Sequence, residues 1–373
     1  MDLAIIRDGE YNVFVKGGDL VDYITAKEAS ELWGISQRRV SALCSDNRIE
    51  NAEMLGNMWL IPKGACKPID GRTLRKANPE KVKPIVKWAG GKSQLLDEIQ
   101  KRYPKELGKR INKYAEPFVG GGAVLLNILS EYELDSVYIS DINPELINMY
   151  ISVRDDVTKV IAFLSDYEKE YLPLSNEERK IYYTNKRKYF NQKKKNGELD
   201  TEAGALFIFL NRTCFNGLYR VNRKGEFNVP IGAYKKPTIC DQKNLLAVSK
   251  ALKKVKIVCG NYKEAEKFID KNTFVYFDPP YRPLNATSSF TSYTEADFND
   301  DSQKELAEFA EKLTKKGVKV LLINSDPKNE DPNDEFFDDL YSSMKVERVS
   351  ASRMINSNAN SRGKISELLI RNF

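Results

Sequence analysis

The chain has 373 residues, 41% hydrophobic and 30% charged, with 59 Lys and Arg against 53 Asp and Glu for a net charge of +6. That length suits two or three domains, and with no run of eighteen apolar residues and no signal-peptide pattern at Met1-Asp2-Leu3, membrane insertion and export are not expected. Histidine is absent, which excludes Ser-His-Asp and Cys-His nucleophiles, histidine bases and the usual zinc sites. Cys44, Cys66, Cys214, Cys240 and Cys259 are odd in number and never spaced Cys-x-x-Cys, so they read as reduced thiols of a cytoplasmic protein.

Short alternating stretches around Gly9 and Gly17-Gly18 suggest a small hairpin. Thr25-Ala26-Lys27-Glu28 is a capping box opening a helix with Ala29 and Leu32 inward, ended by Gly34. Ser36 caps a second helix, with Val40 and Leu43 inward and Gln37, Arg38, Arg39 and Ser41 outward. The run 52–61, turning at Gly56-Asn57, adds a wing. This patterning fits a winged helix-turn-helix, with Arg38 and Arg39 as DNA-binding candidates, or else a helical pair for protein contacts. Residues 63–82, rich in Lys, Arg, Pro and Gly, read as a linker.

Strands and helices then alternate, as in an α/β sheet, and the alternation lapses between 153 and 249 into polar helical segments. Within that lapse, Arg179 to Lys195 holds eight Lys and Arg, no acid, and Tyr182, Tyr183, Tyr189 and Phe190. Such a stretch suits a nucleic-acid backbone, or simply a solvated helix face.

A strand ending at Glu116-Pro117-Phe118 runs into Gly120-Gly121-Gly122, where backbone amides can approach a bulky ligand beside a helix start. The spacing is not the dinucleotide fingerprint. Asp141, at the end of the next strand and about 20 residues beyond the glycines, stands where ribose hydroxyls find their acid. The buried run Thr273 to Phe277 empties into Asp278-Pro279-Pro280-Tyr281. That loop offers a carboxylate, a carbonyl held by proline and a stacking ring to a flat exocyclic amine; the plain alternative is a strand-to-turn exit.

Lys87-Trp88-Ala89-Gly90-Gly91-Lys92, the 116–122 loop, Asp141-Ile142-Asn143 and Asp278-Pro279-Pro280-Tyr281 together resemble the Dam-type DNA adenine-N6 methyltransferases. So do Asn211 to Arg220, Gly225 to Pro230 and the tail from Ser352 to Leu369, and the resemblance spans 83–373. It implies a class I S-adenosylmethionine methyltransferase fold, a Rossmann-like mixed seven-stranded sheet. The expected domains are a hairpin plus winged helix-turn-helix at 1–62, a linker at 63–82, a catalytic domain at 83–152 and 250–373, and an inserted helical target-recognition domain at 153–249.

By the same resemblance Trp88, Lys92, Phe118, Gly120, Gly121, Gly122, Asp141, Tyr262 and Asp278 bind S-adenosyl-L-methionine. Asp278, Pro279, Pro280 and Tyr281 form the catalytic loop. Lys87, Arg212, Asn216, Leu218, Arg220, Asn222, Asn228 and Pro230 fall where relatives meet double-stranded DNA, and Lys193 to Lys195 are expected to meet at most phosphates. Ala233 departs from relatives that carry a basic residue there. The implied activity is methylation of adenine N6 at GATC by base flipping, in the nucleoid-associated cytoplasm and without a membrane. Cytosine N4 or RNA as target, and a helix-turn-helix regulator with a vestigial methylase, are the alternatives. A cognate restriction endonuclease belongs to a modification enzyme and not to a solitary regulatory methylase; that choice and the oligomeric state stay open.

Overall fold

The computed structural model describes residues 4–8, 11–16, 19–46, 48–49, 51–65, 67, 82–282, 298–352 and 364–373. Gly9, Gly17-Gly18, Cys66, most of the linker and the stretch 353–363 of the tail lie outside them. The chain divides into two units, Met1–Lys76 and Ala77–Phe373.

In the first unit, strands β1 (Ala4–Asp8), β2 (Tyr11–Lys16), β3 (Asp19–Thr25), β4 (Glu53–Leu55) and β5 (Met58–Pro62) pair antiparallel in the order β1-β2-β3-β5-β4. The expected N-terminal hairpin is therefore part of a larger sheet. Helix α1 (Ala26–Trp33) starts at the Thr25–Glu28 capping box and stops at Gly34, whose φ of 62° is left-handed. Helix α2 (Gln37–Ser45) is capped by Ser36. Ala29, Val40 and Leu43 are buried with Ile61, but Leu32 is 68% exposed. Trp33, four residues after Ala29, takes the inward place instead, because an eight-residue helix presents only a narrow face to the core.

In the second unit, strands β6 (Lys113–Pro117), β7 (Ser136–Asp141), β8 (Val255–Cys259), β9 (Thr273–Phe277), β10 (Lys319–Ser325), β11 (Lys345–Ser352) and β12 (Lys364–Arg371) form one sheet, ordered β11-β12-β10-β9-β6-β7-β8. β6 to β10 are parallel, and β12 runs antiparallel between β10 and β11. This is the mixed seven-stranded sheet expected of the class I fold. Every residue of β9 is buried, as in a strand covered on both faces, which is why its sequence is a continuous apolar run. Helix α3 (Leu96–Gln100) precedes β6, and α4 (Ala123–Glu131) links β6 to β7.

Helices α5 (Pro144–Asp155), α6 (Val157–Tyr171), α7 (Asn176–Lys195), α8 (Thr201–Thr213) and α9 (Gln242–Leu252) follow between β7 and β8. The boundaries expected near 153 and 249 fall inside α5 and α9, so the helical segment grows out of the sheet domain without a break. Gly204 of α8 lies so close to α5 that an added Cβ would stand 2.6 Å from Ser152 Oγ. Helix α10 (Asp300–Lys315) covers β9 and β10 through Leu306, Phe309 and Leu313, and α11 (Phe336–Leu340) packs beside it.

Candidate active site and DNA-facing surface

The sheet order reverses at β6, whose neighbours are β7 on one side and β9 on the other. A crevice at such a point, outside the carboxyl ends of the strands, is where open α/β sheets bind ligands. β9 delivers Asp278 there, β6 delivers Glu116 and the glycine loop, and β7 delivers Asp141. Phe118 turns the chain out of β6 with a left-handed φ of 71°, a cost for a residue with a Cβ that marks an over-determined loop. Its ring stacks on Tyr262 at 5.2 Å and meets Phe277 and Phe298 edge-on.

Gly120 and Gly121 lie under Trp88, where added Cβ atoms would come within 2.9 and 3.0 Å of that side chain. Gly122 (φ 69°) faces the Tyr150 hydroxyl, which donates to the Gly120 carbonyl at 2.9 Å. The Asp141 carboxylate accepts the Gly120 N–H at 3.2 Å and the Asn143 N–H at 3.0 Å. Burial raises its pKa against those backbone donors.

Lys92 Nζ lies 2.7 Å from Asp278 Oδ1 and donates also to the Gly90 carbonyl. The same ammonium stands over the Tyr281 ring, 4.7 Å from its centre. Burial pushes Asp278 up to about 6, with Lys92 holding it down. Glu116 is 2% exposed and pushed up to about 8 by burial, although it accepts the Tyr114 hydroxyl at 2.6 Å. The Tyr281 hydroxyl donates to Glu367 Oε2 at 2.6 Å. Gln303 Nε2 donates to the Pro280 carbonyl, and Arg282 pairs with Asp300 and Asp334, so the tetrapeptide is tied down at both ends.

Residues 88–355 match the model of the D12 class N6 adenine-specific DNA methyltransferase family. The chain belongs to this family. The type II methyltransferase M.MjaIII of Methanocaldococcus jannaschii is 52% identical over 294 residues, 78% of this chain and 99% of the relative. A DNA adenine methylase of Vibrio cholerae is 36% identical over 292 residues, 78% of this chain and 96% of the relative. The DNA N-6-adenine-methyltransferase of Escherichia phage P1 is 32% identical over 360 residues, 90% of this chain and 43% of the relative. The chain is thus an adenine-specific DNA methyltransferase, and among its described residues no helix is long and apolar enough to cross a membrane.

The segment expected to read DNA in this methyltransferase is only partly brought together. Asn211 joins its amide to the Lys87 N–H and carbonyl and to the Gly217 carbonyl, fixing Lys87 beside the 215–218 turn. Lys87 Nζ donates to the Tyr234 hydroxyl at 3.1 Å. Asn216 is exposed with φ 54°, Leu218 is half-buried, and the Pro230 carbonyl accepts the Phe215 N–H. Val221 and Phe227 bridge a small hairpin whose turn Asn222 organises by accepting the Lys224 and Glu226 N–H groups. Arg220 is exposed and donates to Asn228 at 2.9 Å. Asn222 and Asn228 line a groove of about 420 Å³ with Arg187, Lys188, Asn191 and Lys195.

Several expectations change. Arg212 is half-buried and donates to the Pro84 carbonyl at 3.5 Å, in a small cavity with Ile85, Asp241 and Asn244 rather than beside Arg220. Lys193 is buried among Asp200, Glu198 and Glu202, and Lys194 pairs with Glu145 at 2.7 Å. Both ammonium groups are taken up by carboxylates, whereas Lys195 lies on the exposed side of α7. Tyr183 and Phe190 of the same stretch are buried core rings. Tyr262 is 6% exposed, behind Phe118, and its hydroxyl has no hydrogen-bond partner among the described residues. The sequence gives Glu116 no role of its own, and Glu367 enters only as one residue of the 352–369 tail, where it heads the apolar run Leu368-Leu369-Ile370.

Proposed function

We propose that this enzyme moves a methyl group from S-adenosylmethionine to adenine N6 at GATC in duplex DNA, after the target base has left the helix. The carrying observation is the convergence of Asp278-Pro279-Pro280-Tyr281, the 120–122 loop and Asp141 on one sheet edge. Support for the cofactor comes from the Asp141 carboxylate beside the loop and from Gly120 and Gly121, which let the Trp88 side chain lie directly on it. Asp141 would take the ribose hydroxyls and Trp88 with Lys92 the methionine end, while Phe118 and the glycines pass beneath. Tyr262 would act through the Phe118 ring it supports. When bound, S-adenosylmethionine supplies an electrophilic methyl on a sulfonium.

Adenine N6 is a poor nucleophile because its lone pair is delocalised into the ring. The Asp278 carboxylate and the Pro279 carbonyl accept its two hydrogens, localise that lone pair and stabilise the positive charge that grows on nitrogen. Lys92 must release Asp278 for this, and its departure also uncovers the Tyr281 ring. Unstacking the target costs a few kcal/mol, and stacking on Tyr281 returns ~1–3 kcal/mol. The N6 proton leaves after transfer, from the charged nitrogen to the Asp278 carboxylate that already accepts its hydrogen bond and from there to water, so no histidine is needed. Lys87, Leu218, Arg220 and Pro230 would meet bases, and the groove bearing Asn222, Asn228 and Lys195 would follow the backbone.

The N-terminal unit would be a second DNA-binding module, with Gln37 and Arg38 exposed at the start of α2. Work on DNA implies the cytoplasm, and the type II name of the archaeal relative favours a place beside a cognate restriction endonuclease. Incubation with tritiated S-adenosylmethionine and duplexes carrying GATC or singly altered sites, followed by nucleoside analysis, tests the reading. Label in N6-methyladenine from GATC alone is expected. Label in cytosine, or equal label from every duplex, overturns it.

A further inference from the structure

Lys194 sits near the end of α7 with its side chain 13% exposed. A lysine ammonium has three hydrogens to donate. Here three acceptors surround it: Glu145 Oε1 at 2.7 Å, the Gly225 carbonyl at 2.9 Å and the Tyr219 hydroxyl oxygen at 3.1 Å. The Tyr219 hydroxyl donates in turn to the other oxygen of Glu145 at 2.9 Å, closing a ring of three side chains. A buried polar network with every member satisfied is rigid.

The three partners come from three places. Gly225 belongs to the turn of the 221–227 hairpin, whose flanks carry Arg220 and Asn228. Glu145 is in the first turn of α5, which Asn143 caps while its own N–H is held by Asp141. The Tyr219 ring stacks on Trp88, 5.7 Å between centres, and Trp88 covers Gly120. One ammonium therefore ties the hairpin to both sides of the cofactor loop. A buried ion pair adds little net stability over an apolar trio of equal volume, and its best-attested use is to fix register.

We infer that Lys194 is a positioning residue that holds the 221–227 hairpin against the cofactor loop through Glu145 and Tyr219, so that cofactor and DNA each tighten the binding of the other. This rests on the proposed reading of the two sites. Moving Gly225 away from Lys194 breaks a hydrogen bond and leaves one hydrogen of the buried ammonium unpartnered beside Glu145 and Tyr219, and Tyr219 is the partner on which Trp88 leans. Reciprocity follows, since a coupling free energy acts equally on both ligands.

The test uses the full chain and S-adenosylhomocysteine as an inert probe, its Kd measured calorimetrically with and without saturating GATC duplex. For the unaltered enzyme the duplex should tighten the probe by at least about 5-fold, within the usual range of coupling. Tyr219→Phe removes one hydroxyl and keeps the stacking ring, and Lys194→Met with Glu145→Gln removes both charges together, so neither strands a buried ion. Both should cut the factor to less than about 2-fold while probe affinity without DNA and the melting temperature hold. An unaltered enzyme without coupling, variants that keep it, or variants that lose probe affinity equally with and without DNA each overturn the inference. Methyl transfer by the unaltered enzyme from S-adenosylmethionine, read in separate samples with the same duplex, reports on the proposed function by itself.

Discussion

Lys92 Nζ and Asp278 Oδ1 stand 2.7 Å apart at the mouth of β9, and the same ammonium covers the Tyr281 ring. A single cation thus occupies both the acceptor and the stacking face that a flipped adenine would need. Lys92 is 5% exposed and the Asp278 side chain 21%, so the ammonium is the buried partner, and removing Asp278 alone strands it.

Asp278→Asn should cut the single-turnover rate by about 10²–10³-fold, because a charged acceptor is lost where positive charge develops. Affinity for S-adenosylhomocysteine should stay near that of the unaltered enzyme. Asp278→Ala should be as inactive and also less stable by ~3–5 kcal/mol, since Lys92 is left buried without its counter-ion. Near-normal turnover in the asparagine variant would remove Asp278 from the chemistry.

The value of kcat/KM should rise with pH and level off above about 6, because the carboxylate form of Asp278 is the acceptor and burial, opposed by Lys92, holds it at about 6. Measured between pH 5 and 8, kcat/KM reports the free enzyme, in which Lys92 still pairs with Asp278. A limb at the ordinary aspartate position would mean that the burial is not felt.

Glu116→Gln should stabilise the fold increasingly as pH rises. The folded protein holds the Glu116 proton up to about 8, so this group's contribution is full below its ordinary pKa of 4.5 and is lost as pH climbs to about 8. In that window the loss approaches about 1.4 kcal/mol per pH unit. Gln keeps the acceptor for the Tyr114 hydroxyl without the charge. Melting temperatures of the two proteins should converge near pH 5 and separate by pH 8, in favour of Gln.

Arg220→Ala should cost ~1–3 kcal/mol on GATC and less on sites altered at the base it reads. Lys195→Ala should weaken every duplex alike and lower the salt slope by about one ion. Lys193→Ala should instead lower the melting temperature, because Asp200, Glu198 and Glu202 surround it. Competition binding at several salt concentrations separates the three, and uniform loss for Arg220→Ala would refute base reading.

Gln37→Ala with Arg38→Ala in the full chain should leave turnover on a short GATC duplex unchanged. Binding to long duplexes should weaken, as expected when a tethered second contact is lost. Unchanged affinity for long DNA would make the N-terminal unit a protein-contact or dimerisation module.

Helix starts and the strand that carries Asp278 to the sheet edge are legible from the sequence because each is written in neighbouring residues. Thr25 and Glu28 make their capping box within one turn, Gly34 ends α1, and the run 273–277 announces a buried strand before its acid. The absence of histidine by itself confines the chemistry to carboxylates, backbone groups, Lys, Tyr or a reactive cofactor.

Which polar groups are free was decided only by tertiary structure. Lys193, Lys194 and Lys195 are identical in sequence, but successive helix residues point about 100° apart, so one enters an acid cluster, one reaches Glu145 and one faces solvent. Arg212 and Arg220 both lie in the stretch 211–220, and the end of α8 sends the first to Pro84 and leaves the second exposed. Glu367 meets Tyr281 only because antiparallel β12 brings its beginning beside the carboxyl end of β10. Local backbone preferences and side-chain chemistry are properties of short segments and survive in the sequence. Burial and partnership depend on residues far apart in the chain, so they exist only once the sheet has set its order.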